Sequence, residues 1–84
     1  MRVAVKLFAA LREQRGAREV ELELQDGARV EDVWGALGLG DEPTGLVYAV
    51  NRAYAARDVT LAEGDEVALI PPVSGGAFLL SEEP

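Results

Sequence analysis

Residues 64–76 read GDEVALIPPVSGG. The stretch opens with a tight turn at Gly64-Asp65 and runs into an alternating strand, with Val67 and Leu69 on one face and Ala68 and Ile70 on the other. Pro71 and Pro72 close the strand, because neither can donate to a sheet ladder. Beyond them lie Val73, Ser74, Gly75 and Gly76. They read either as a turn into further structure or as a tail with a chemical role, and the rest of the chain decides between the two.

Toward the N-terminus, residues 52–66 form a polar excursion with one short strand, and LVYAVN at 46–51 is a further strand. Pro43-Thr44-Gly45 is a loop. RVEDVWGALG at 29–38 spaces Val30, Val33, Trp34 and Leu37 as the inner face of the main helix, with Glu31 and Asp32 in its first turn and Gly38 or Gly40 at its end. Trp34 on that face is core. REVELEL at 18–24 alternates most cleanly, Val20, Leu22 and Leu24 facing in and the three Glu out, before a turn at Asp26-Gly27. AALREQRG at 9–16 is a short helical stretch stopped by Gly16. RVAVKLF at 2–8 is the first strand, with Val3, Val5 and Leu7 opposite Ala4, Lys6 and Phe8. The order predicts an α+β fold, a mixed sheet packed on one main helix, as in the ubiquitin-like β-grasp.

Composition narrows the chemistry. Eighty-four residues, with 27% charged and 49% hydrophobic, make one small globular domain with a single core and no deep enclosed site. No apolar run is long enough to span a membrane and no signal pattern opens the chain, so a cytoplasmic location without membrane contact is expected. The chain has no Cys and no His, which leaves Ser74 and Ser81 without a triad partner and predicts no metal site. A net charge of −7 argues against nucleic acid and for a partner with a basic surface.

LFAALRE with Gly16 after it, AVN at 49–51, LAEGDEVALIPPV and the following SGG together resemble the small sulfur-carrier subunit of molybdopterin synthase, the MoaD family. The thiamine-pathway sulfur carrier is a more distant likeness, lacking the double proline. The resemblance implies a β-grasp carrier over residues 1–76 that is not catalytic alone and binds no cofactor. Its terminal Gly76 carboxylate would be adenylated with ATP by a ubiquitin-activating-type enzyme, then converted to a thiocarboxylate. The large synthase subunit would accept the tail and pass its sulfur to a pterin precursor. Gly75 and Gly76 suit a narrow channel, and Pro71 and Pro72 stiffen the exit.

The sequence departs from that pattern after Gly76, where AFLLSEEP at 77–84 leaves no free carboxylate. The extension is a propeptide to be cleaved, the start of a fused partner, or part of an interaction module that is never conjugated. Its apolar AFLL suits pairing with an exposed sheet edge. Strand alternation also predicts a partner surface. With the helix over Val3, Val5 and Leu7, Phe8 and Ile70 are left on the outer face near the tail, and Tyr54 joins them. An alternative for Phe8 is a core position under the 9–15 helix.

Overall fold

The computed structural model describes residues 1–71. The tail positions Pro72, Val73, Ser74, Gly75 and Gly76, the division of the chain at residue 76 and the expected edge pairing of AFLL all lie outside those residues. Alternating apolar residues produce the strands. In chain order the elements are β1 (Arg2–Leu7), α1 (Ala9–Arg15), β2 (Glu19–Glu23), α2 (Asp32–Leu37), β3 (Val47–Val50), β4 (Ala53–Ala55) and β5 (Glu66–Ile70). They form one mixed sheet in the order β2-β1-β5-β3-β4. β1 and β5 run parallel at its centre, and every other pairing is antiparallel.

The core lies on one face of this sheet. Val3, Val5 and Leu7 of β1, Val67 and Leu69 of β5 and Tyr48 of β3 meet Leu11 of α1, Val33, Trp34 and Leu37 of α2, and the flanking Val30 and Leu61. Val20 and Leu22 of β2 pack against this cluster, while Glu19, Glu21 and Glu23 point to water, as their alternation requires. α2 supplies three buried side chains and α1 only Leu11, so α2 is the main covering helix. Neither helix is long enough to stand alone, and both are held by their apolar faces. The indole N–H of Trp34 donates to the Gly40 carbonyl at 2.7 Å, which fixes the chain leaving α2.

α2 starts later than the 29–38 pattern suggests. Arg29 bridges Thr60, while the N–H groups of Val30 and Glu31 donate to the Val59 and Arg57 carbonyls. Residues 29–31 are thereby tied to the 57–60 segment and lead into α2 as a turn, in which the Asp32 and Val33 N–H groups donate to the Arg29 and Val30 carbonyls three residues back. Gly38, at φ +69°, closes it in the left-handed conformation. No helix among the described residues is long and apolar enough to cross a membrane.

Candidate docking face and tail root

The sheet face opposite the helices is built by pairing register. Tyr54 of β4 lies opposite Ala49 of β3, Ala49 opposite Ala68 of β5, and Ala68 opposite Lys6 of β1. One step along, Val47 lies opposite Ile70. Phe8 follows β1 directly and extends this face past Leu7, which pairs with Leu69. The small Ala49 and Ala68 leave a shallow hollow between larger neighbours. The result is a concavity of about 440 Å³ lined by Phe8, Ile70 and Tyr54, with Lys6, Arg52 and Glu66 among its other walls.

Phe8, Tyr54 and Ile70, singled out from the sequence, are therefore together. Phe8 is 43% exposed and Tyr54 82%, so the alternative that Phe8 is core does not hold. Ile70 is half-buried, and Pro71 follows it as the last described residue. The tail thus leaves from the rim of this apolar hollow. Sequence reasoning missed Val47, 41% exposed beside Ile70, and the cations Lys6 and Arg52. Their alternation was readable, but only the register of β3 on β5 shows which residues they adjoin.

Polar contacts fix the hollow's floor. Lys6 Nζ lies 3.4 Å from Glu66 Oε2. The Asn51 side chain joins the β3–β4 turn to the start of β5. Its Nδ2 donates to Asp65 Oδ1 and its Oδ1 accepts from the Glu66 N–H, each at 3.0 Å. These residues can bury apolar surface and hold charge, which is docking chemistry. Among the described residues no cluster of three carboxylates could hold a metal ion.

The strongest ionic cluster lies elsewhere, between the 38–46 and 56–59 loops. Arg57 forms a forked pair with Glu42 through both terminal nitrogens, and its guanidinium sits 5.6 Å from the centroid of the Tyr48 ring. The Tyr48 hydroxyl donates to Glu42 Oε2 at 3.0 Å. Hydrogen bonds from Arg57 hold the Glu42 carboxyl below its usual range, against the opposing effect of burial. Desolvation, helped by the Glu42 carboxylate, pushes the Tyr48 hydroxyl up to about 12. This cluster clamps two loops over the core and takes no part in the outer face.

Comparison with known proteins covers nearly the whole chain. The family model described as ThiS family matches residues 5–76. The molybdopterin synthase sulfur carrier subunit of Chlamydomonas reinhardtii is 39% identical over 83 residues, covering 90% of this chain and all of that protein. The molybdopterin synthase sulfur carrier subunit of Escherichia coli is 40% identical, covering 88% of this chain and 99% of that protein. The crystal structure of small archaeal modifier protein 1 from Haloferax volcanii superimposes with a TM-score of 0.78 at 35% identity, covering 90% of this chain and 100% of that one. With a ubiquitin-like β-grasp fold and a match running from β1 to the double glycine, the chain belongs to the ThiS family and is a relative of the molybdopterin synthase sulfur carrier subunits.

Proposed function

We propose that this protein carries sulfur for molybdenum cofactor synthesis on the C-terminal carboxylate of Gly76, once the Gly76–Ala77 bond has been cleaved. What supports the reading most is the position of the tail root. The chain passes from Ile70 to Pro71 at the rim of an exposed apolar hollow, so a partner seated there would receive the tail directly. Relatives at 39% and 40% identity are sulfur carrier subunits of molybdopterin synthase. The large synthase subunit is therefore the partner proposed for Phe8, Tyr54 and Ile70, and it supplies the catalytic groups.

Charging would proceed on a separate adenylating enzyme, which binds the ATP. A Gly76 carboxylate oxygen attacks the α-phosphate and displaces pyrophosphate, forming an acyl adenylate. Sulfur from a donor then displaces AMP and leaves a thiocarboxylate. The chain's own contribution is positional: Pro71 and Pro72 restrict the exit, and Gly75 and Gly76 fit a channel too narrow for side chains.

Pyrophosphate exchange with the activating enzyme tests this. Residues 1–76 are expected to support exchange, and the 84-residue chain is not, because its Gly76 carbonyl is held in an amide. A short form carrying Gly76→Ala serves as the control. Equal exchange by both lengths, with no cleavage seen by mass, would overturn the assignment of Gly76. Absence of exchange from either form, with an enzyme competent toward another carrier, would favour an interaction module that is never conjugated.

A further inference from the structure

Among the described residues, positive φ occurs at six glycines and at three other positions, Ala9, Asn51 and Arg52. All three adjoin the outer hollow. Ala9 follows Phe8 directly, Arg52 lines the wall, and the Asn51 side chain holds the backbone of Glu66, another wall residue. Asn51 and Arg52 are accounted for by the two-residue turn between β3 and β4, which takes this conformation at both positions. Ala9 has no such reason. An L-residue in the left-handed region crowds its Cβ against the following carbonyl, and alanine has no polar group with which to offset the cost. Its methyl is exposed, so packing does not offset it either. Backbone strain of this kind persists only where the surroundings impose it.

Two anchors impose it. Leu7 is buried, pairs with Leu69 of β5 and donates its N–H to the Arg18 carbonyl at 2.9 Å. Leu11 is buried in the core, and its N–H donates to the Phe8 carbonyl at 3.1 Å. Phe8 itself stays extended, at φ −122° and ψ 154°, which continues the alternation of β1 and puts its ring on the face opposite Leu7. Leu11 must nevertheless return to the inner face. Between an extended Phe8 and a helix that begins at once, a single residue makes the reversal, Ala9 at φ +52°. With both leucines fixed, a residue 9 that left the left-handed region would pass the adjustment to Phe8, the exposed neighbour between the anchors. The Phe8 backbone would turn and carry its ring off the outer face.

We propose that Ala9 is a positioning residue for docking. Its left-handed backbone lets α1 turn back onto the core while Phe8 remains extended, with its ring held on the outer face. The proposal rests on the docking role argued above for Phe8. Ala9 acts through the backbone angle of residue 9 and not through its own methyl, so affinity should follow how readily a residue enters the left-handed region.

The test is titration of the isolated large subunit with the 84-residue chain and its variants, with melting and two-dimensional NMR spectra recorded for each. Ala9→Val, β-branched and poorly suited to positive φ, is expected to lower affinity about tenfold. Ala9→Gly and Ala9→Asn, which enter the left-handed region readily, are expected to stay within about twofold of the parent. On a Phe8→Ala background, Ala9→Val is expected to lower the melting temperature as before but to cause no further loss of affinity. A purely structural role would not produce that split. Parent-like binding by Ala9→Val, or equal losses on both backgrounds, would overturn the proposal. Ala9→Thr, branched in the same way but polar, replaces Ala9→Val if that variant does not fold. A Phe8→Ala chain that binds as the parent does would instead remove the docking role of Phe8. The Phe8 ring signals then decide the positioning by themselves: displacement in Ala9→Val but not in Ala9→Asn upholds it, and coincident signals in all three chains overturn it.

Discussion

Asn51 and Arg52 connect β3 to β4 with positive φ at both positions, 51° and 72°. A two-residue hairpin turn of this kind favours Asn followed by Gly. Arg52 departs from that preference, and a side chain in the left-handed region costs roughly 1 kcal/mol. Arg52→Gly is therefore expected to raise stability by up to about 1 kcal/mol in urea unfolding. The same change removes a cation from the wall of the hollow without touching its apolar lining. Asn51→Ala is expected to act the other way, losing about 1–3 kcal/mol because it forfeits both side-chain bonds to β5 and strains the turn. Unfolding of that variant at the native midpoint would show the Asn51 bonds to be dispensable. AVN at 49–51 was legible as part of a family pattern, but its physical purpose was not. Nothing in the sequence says that Asn51 faces Asp65 and Glu66 across the sheet.

Among the elements, the alternation of β1, β2 and β5 was readable because each has one wet or outward face, with inner residues buried in β1 and β5 and half-buried in β2. The start of α2 was not, because residues 29–31 are drawn to the 57–60 segment by the Arg29–Thr60 bridge and by the Val30 and Glu31 N–H groups. Long-range competition of this sort leaves no local trace. The clamp of Arg57 and Tyr48 on Glu42 was equally hidden, since it joins β3 to two loops. It makes stability depend on pH. Glu42 has a depressed pKa in the folded protein, so its contribution is present above its unfolded value near 4.5 and is lost as pH falls through the lower folded value. The melting temperature of Glu42→Gln should thus lie below that of the parent at pH 7, and the gap should close in the acid range below 4.5. A constant gap across that range would place the effect in packing. Tyr48→Phe, which keeps the ring and removes one donor, is expected to cost about 1 kcal/mol.

For the whole molecule, the sheet has one face covered by helices and the other left for a partner. Ile70→Asp is expected to lower affinity for the large subunit at least about tenfold, because it places a charge where apolar surface must lose water. Its melting temperature should stay within a few degrees of the parent, since Ile70 lies on the outer face and outside the core cluster. A large drop on melting would instead make Ile70 structural. The pairing order has a further effect at the time the protein is made. β5 joins β1 to β3, so until Glu66–Ile70 is available the chain can form only two separate strand pairs, β1 with β2 and β3 with β4. A chain still tethered to the ribosome at Ile70 has no complete sheet, no closed core and no outer hollow. Closure of the sheet therefore waits on one strand, and the two halves of the chain remain separate until β5 can pair with β1 on one side and β3 on the other.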